Sequence, residues 1–153
     1  MKTILLASDH AGFALKEKLK AHLLARKLPF KDLGTHSPES CDYPCFAAKL
    51  ASLISRKSYS RGILICKTGI GNSIVANRFP GVRASLCCNQ QAARLAREHN
   101  DSNVLVLGAG FVSAGQAKAI LDAWLETRFS GGRHLRRLKI LKEIERGIGK
   151  GRR

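Results

Sequence analysis

Arg61-Gly62-Ile63-Leu64-Ile65-Cys66, followed at once by Lys67-Thr68-Gly69-Ile70-Gly71-Asn72-Ser73, decides how the rest of this chain is read. The first stretch is continuously apolar after its opening two residues and is bounded by turn formers. That is the pattern of a strand buried on both faces, in the middle of a parallel sheet. The second stretch is a glycine-punctuated loop that leads into a short helix. On either side the same unit recurs. Residues 2–7, 30–33, 82–87 and 104–107 read as further strands. Residues 13–27 carry Leu15, Leu19 and Leu23 at four-residue spacing, one face of a helix. Asp42 is placed to cap a helix to about residue 57, with Pro44 in its first turn. Asn89 caps a helix to residue 99, and Ser113 caps another through residue 127. Residues 135–146 form a last amphipathic, very basic helix, and a basic tail follows from about residue 147. Strands and helices alternate five times. The expectation is a single α/β domain over residues 1–153 with a flavodoxin-like, doubly wound, five-stranded parallel sheet. Its expected strand order is 2-1-3-4-5, with helices on both faces.

Composition narrows the classes of function. Of 153 residues, 44% are apolar, enough for a core of this size. No segment approaches the ~18 apolar residues of a membrane span. The apolar run at residues 3–7 is too short for a secretory signal and is interrupted by Ser8-Asp9-His10. The five cysteines, Cys41, Cys45, Cys66, Cys87 and Cys88, are odd in number and read as free thiols of a reducing, cytoplasmic compartment. Cys41 and Cys45 have C-x3-C spacing but lack the second ligand pair of a zinc site. Net charge is +16, and residues 128–153, with ten basic and two acidic residues, supply half of it. Such a segment either meets an anionic partner or is a solvated helical face. No basic-aromatic interleaving appears, which argues against single-stranded nucleic acid as partner.

In a doubly wound sheet, ligands bind beyond the carboxyl ends of the strands. That rule selects the loops 8–12, 66–73, 87–89 and 108–110, of which the first two are densest in reactive side chains. Cys66 ends the central strand against a glycine loop, where backbone N–H groups and a helix start favour negative charge on sulfur. The alternative is a small buried hydrophobe. Thr68-Gly69-Ile70-Gly71 reads as an anion cradle or as a turn with two glycines for steric reasons. Asp9 and His10 are an acid and an imidazole at a strand end, or an Asx turn beside a surface histidine. His99, Asn100 and Asp101 end a helix, where a histidine is also favoured by the helix dipole. Arg133 and Arg137, four apart, share one helix face as a phosphate clamp or as a solvated basic patch.

Taken together, SDHAGF at 8–13, DYP at 42–44, GILIC at 62–66, TGIG at 68–71, AN at 76–77, GVRA at 81–84, HND at 99–101, NVL at 103–105, DAWL at 122–125 and GGRH at 131–134 resemble the B-type ribose-5-phosphate isomerases, in the family that includes galactose-6-phosphate isomerase subunits. The pieces stand in family order and span nearly the whole chain. The resemblance implies interconversion of ribose 5-phosphate and ribulose 5-phosphate through an enediolate, in the non-oxidative pentose phosphate pathway. It implies a homodimer or dimer of dimers whose active sites are built from both subunits. Cys66 matches the catalytic base, in a family where other members use a glutamate a few residues further on. His99 matches the residue that opens the sugar ring, and Thr68 and Asp9 complete the catalytic set. Asp9, His10, Tyr43, Lys67, Thr68, Gly69, Ile70, Gly71 and Asn100 match the substrate-contacting positions, and Arg133 and Arg137 match phosphate ligands. That chemistry needs no metal and no redox cofactor.

The chain departs from the family's usual pattern twice. Lys67 stands where the family has glycine, and Gly110 where it has an arginine. Three other functions compete with pentose isomerisation. One is isomerisation of a six-carbon aldose phosphate, galactose 6-phosphate or allose 6-phosphate. The second is non-catalytic binding of RNA or another polyanion by the basic C-terminal segment. The third is a flavin-binding or signalling module on the same fold.

Overall fold

The structure is a computed structural model that describes residues 2–150. Its elements run β1 (Ile4–Ser8), α1 (Phe13–Ala25), β2 (Phe30–Asp32), α2 (Tyr43–Ser55), β3 (Arg61–Cys66), α3 (Ile70–Ala76), β4 (Ala84–Leu86), α4 (Gln90–Asn100), β5 (Val104–Gly108), α5 (Ala114–Glu126) and α6 (Gly132–Lys150). The α/β alternation expected from the apolar runs is present. The last helix is longer than its amphipathic stretch: it begins at Gly132 and includes residues 147–150, expected to be tail. Residues 151–153 of that tail lie outside the described residues. No helix among the described residues is long and apolar enough to cross a membrane.

The five strands are all parallel, in the order β2-β1-β3-β5-β4. This corrects the expected 2-1-3-4-5. The reason lies in the two last strands. β5 reads VLVLG and is buried at every position, so it takes an interior place beside β3. β4 has three residues, ASL, and Leu86 is exposed, so it takes the edge. The outward-facing backbone of β4 is covered at Ala84. The Asn77 side chain accepts from the Ala84 N–H at 2.8 Å and donates to the Ala84 carbonyl at 3.0 Å, as a neighbouring strand would.

Side chains of alternate strand residues feed two cores. One packs Ile4, Leu6, Ile63, Ile65, Leu105 and Leu107 under α1, α4 and α5, around fully buried Trp124. The other packs Leu5, Ala7, Leu64, Val104 and Val106 under α2 and α3. Asn89 and Ser113 cap α4 and α5 through their side chains, Ser113 in a reciprocal box with Gln116. Asp42 holds the N-cap place of α2 but makes no side-chain cap bond.

One ion pair in the core had no sequence signal. Lys16 is fully buried on the core face of α1, and its ammonium reaches Asp32 at 2.5 Å and Glu17 at 3.0 Å. Burial alone raises the Asp32 carboxyl, but Lys16, Lys20 and the Gly34 N–H outweigh it and hold the carboxyl below its usual range. The pair fixes the carboxyl end of β2 against α1, next to the first candidate loop.

Candidate active site

Strand register brings the candidate loops to one edge. Ser8 pairs with Ile65 and Cys66 with Gly108, so β1, β3 and β5 end level with one another. The loop after β5 then runs along the loop after β3, with the Ala109 and Gly110 N–H groups donating to the Cys66 and Lys67 carbonyls, both at 2.8 Å.

Cys66 is buried in the wall of this edge, 4% exposed. Its Sγ accepts the Gly69 N–H at 3.1 Å, so a backbone donor points at the atom that carries charge in a thiolate. Gly69 is the residue that makes this turn feasible. Its φ of 76° is left-handed, and a Cβ there would lie 2.5 Å from Leu86 Cδ1. Beyond it the Thr68 hydroxyl accepts the Ile70 N–H at 3.3 Å. Gly71 lies flat under Tyr43, whose ring would be 2.5 Å from a Cβ at that position. The Tyr43 ring therefore roofs the glycine loop.

Asp9 is buried, and its Oδ1 accepts the Gly12 N–H at 2.9 Å, the Asx-type turn weighed from sequence. His10 is half-buried, with Nδ1 lying 3.2 Å from both the backbone N–H and the carbonyl oxygen of Cys41. Cys41 thus serves His10 through its backbone. Asp9, His10, Tyr43, Cys66, Lys67, Thr68, Gly69, Ile70 and Gly71 form one cluster. Two atoms beside it escaped sequence reasoning: Ser8 Oγ and Asn72 Oδ1 are buried and have no hydrogen-bond partner among the described residues. Ser8 ends β1 and Asn72 lies in the first turn of α3, both inside segments selected from the sequence, but nothing local in the chain marks their side chains as buried without a partner.

The two family departures meet in space. Lys67 lies with its stem across Gly110: a Cβ at Gly110 would stand 3.2 Å from Lys67 Cε and 3.4 Å from Cδ. The lysine therefore fills the room above the glycine, at the lip of the loop.

The remaining residues are elsewhere. α4 runs back from the carboxyl edge, so His99 and Asn100 in its last turn reach the amino edge of the sheet, just before β5 begins. The length of β5, roughly 13 Å, separates them from Cys66. The carboxyl-edge rule selected only the loops of the first cluster; His99 and Asn100, assigned through the resemblance, lie at the opposite edge. At this second edge Arg133 and Arg137 lie exposed, one turn apart at the start of α6, with no carboxylate partner among the described residues. Between them His134 is buried and stacks on His99, with ring centroids 4.2 Å apart and planes 10° from parallel. Burial first, then His99, Arg133 and Arg137, hold the His134 imidazole below its ordinary protonation range, against a weaker opposing pull from Glu98. Among the other thiols, burial and then Cys88 push Cys87 up to about 12, which leaves it unreactive near neutrality. Cys45 and Cys88 are exposed.

A thiol with a donor on its sulfur, an acid-imidazole pair and a separate cationic patch are the means of an enzyme that moves protons on an anionic small molecule. Comparison with known proteins narrows the class. A family model described as Ribose/Galactose Isomerase matches residues 4–141. Ribose-5-phosphate isomerase B of Escherichia coli is 45% identical over 145 residues, covering 95% of this chain and 97% of that protein. The solved structure of ribose-5-phosphate isomerase B from Clostridium thermocellum superposes with a TM-score of 0.93 at 44% identity, covering 95% of this chain and 99% of that one. The enzyme from Mycoplasma genitalium, solved with bound ribulose 5-phosphate, superposes at 0.91 with 38% identity, covering 94% and 96% of the two chains. The chain belongs to the ribose/galactose isomerase family.

Proposed function

We propose that this protein, a single domain over residues 1–153, interconverts ribose 5-phosphate and ribulose 5-phosphate in the cytoplasm. The observation that carries the mechanism is the Cys66 thiol, facing the Gly69 N–H at the end of β3. Cys66 takes the proton from C2 of the open-chain aldose and returns it to C1. The backbone N–H groups of the 68–71 loop and the Thr68 hydroxyl stabilise the enediolate oxygens. Asp9 and His10 hold sugar hydroxyls, and Tyr43 covers them. His99 moves the proton that opens the furanose ring, beside Asn100, while Arg133 and Arg137 grip the phosphate. Because the two clusters lie on opposite edges of one chain, a complete pocket joins Cys66 of one subunit to His99 and the arginines of another, in a homodimer or a dimer of dimers. Five free thiols suit a reducing compartment.

The test is a panel of five- and six-carbon aldose phosphates. Ribose 5-phosphate is expected to be turned over fastest, at a rate that chelators leave unchanged. Turnover of galactose 6-phosphate or allose 6-phosphate alone would move the assignment to six-carbon sugars. Salt-sensitive RNA binding with no turnover would instead support a polyanion-binding protein.

The contact between Lys67 and Gly110 makes a second prediction. Lys67 supplies the cation at the lip of the loop that the family's arginine supplies from position 110, as a point charge in place of a fork. Lys67→Gly is expected to weaken substrate binding, and Gly110→Arg to restore it in that background, where the space above position 110 is free. In the parent the same arginine must displace the lysine stem. A double-mutant cycle on substrate affinity should therefore show a coupling of about 0.5–3 kcal/mol, as for residues in contact. Additive effects, or tighter binding by Lys67→Gly alone, would make Lys67 an incidental surface residue.

A further inference from the structure

Catalytic imidazoles are usually oriented by a hydrogen bond from one ring nitrogen to a carboxylate or a carbonyl, which leaves the other nitrogen to work. His99 has no such partner. Neither of its ring nitrogens is hydrogen-bonded among the described residues, and the torsion that turns an imidazole about its stem is intrinsically broad. The backbone beneath it, by contrast, is held firmly. Buried Arg97 reaches Asp101 at 2.8 Å and the Ser102 carbonyl at 2.5 Å. The Ser130 N–H donates to the Glu98 carbonyl at 3.0 Å and ties the segment before α6 to the last turn of α4. On this fixed platform the ring of His99 lies against the face of His134, parallel within 10° at 4.2 Å.

We infer that His134 is the positioning residue of the ring-opening step: stacked flat on His99, it fixes the plane of that imidazole and ties it to the helical turn that carries Arg133 and Arg137. The inference rests on the ring-opening role proposed for His99. A stack orients a ring without using either nitrogen, so both edges of His99 stay free in the plane, one to meet the sugar ring oxygen and the other to exchange its proton with solvent. His134 sits between the two arginines in sequence. Gripping the phosphate therefore sets the distance from the phosphate to the plane of the ring-opening imidazole. The burial and the flanking cations that disfavour a charged His134 keep it a neutral flat surface. A second positive charge does not then compete for the phosphate in the stack.

The test uses His134→Ala and His134→Phe in the full chain, with three measurements. The first is kcat/KM on ribose 5-phosphate, which must be opened. The second is wash-in of solvent deuterium at C1 of ribulose 5-phosphate. Its phosphorylated O5 cannot close a furanose, so this exchange needs the base and not the ring-opening group. The third is the NMR position of the His99 ring protons, which the stacked ring shields. His134→Ala is expected to lower kcat/KM on ribose 5-phosphate about 3- to 10-fold, the scale of one aromatic stack. It should leave deuterium wash-in unchanged and release the His99 ring protons from shielding. His134→Phe keeps a flat face and is expected to restore both the rate and the shielding. Equal losses in turnover and wash-in, or no loss in either, would overturn the positioning role. Unmoved His99 ring protons in an active His134→Ala enzyme would overturn the stack itself. A parent chain inactive in both assays would instead fail the proposed function, and the positioning role with it, even if the ring protons still reported the stack.

Discussion

Replacing Cys66 by alanine is expected to lower turnover about 10²–10⁴-fold, the range over which a positioned general base acts. The fold and most of the substrate affinity should survive. The substitution removes one sulfur from a wall position, and among the described residues the hydrogen bond it loses is the one that Sγ accepts from Gly69. No carboxylate stands ready to replace the thiol in the following turn, where Asn72 and Ser73 are the polar residues. Turnover is measured beside thermal unfolding, so that a folded but inactive protein is the expected outcome. Alkylation supplies an independent measurement. Cys45 and Cys88 are exposed and Cys41 is half-buried, so the experiment belongs in a Cys41→Ser, Cys45→Ser, Cys88→Ser background. There a thiol reagent should inactivate the enzyme with one equivalent incorporated at Cys66, and substrate should slow the loss. Near-normal turnover by Cys66→Ala would remove the thiol from the mechanism.

The second large effect comes from mixing two inactive proteins. Cys66→Ala damages the carboxyl edge and Arg137→Ala damages the amino edge, and in one chain these edges are separated by the length of β5, roughly 13 Å. In a two-fold dimer each interface uses the same surface of both subunits, so the two edges meet twice. A hybrid of the two variants then holds one pocket with both lesions and one pocket with neither. Activity is expected to appear from near zero as subunits exchange, and to reach a plateau set by the fraction of hybrids. Mass spectrometry of differently tagged chains verifies the exchange. If hybrids form and activity stays at zero, the arginines serve the pocket of their own chain.

The carboxyl-edge half of the site was legible in the chain because its signals are local. RGILIC is a buried strand by its unbroken apolar run, and the loop that follows is a cradle by its glycines. Asn89 and Ser113 announce their helices by cap chemistry that needs no tertiary partner. What sequence reasoning missed depends on distance through space. The exchange of β4 and β5 turned on comparing VLVLG with RASLCC for burial, since chain order alone favours β4 beside β3. The position of His99 at the far edge follows from the direction of α4, but its stack on His134 joins residues 35 apart in the chain, and no periodicity links them. The buried Lys16 beside the Leu15, Leu19 and Leu23 stripe received no reading of its own, because nothing near it in the chain announces a partner. Its partner Asp32 comes from the next strand. The contact of Lys67 with Gly110 likewise exists because β3 and β5 are neighbours in the sheet, which the expected strand order denied.

The Asn77 amide against Ala84 has a consequence for how the protein behaves in crowded solution. An open parallel sheet can, in principle, grow by recruiting a strand from another molecule, and its bare edges are where fibrils and gels begin. On the β4 side a single carboxamide occupies both the donor and the acceptor that an incoming strand would use at Ala84. The molecule thus carries a chain terminator for its own sheet.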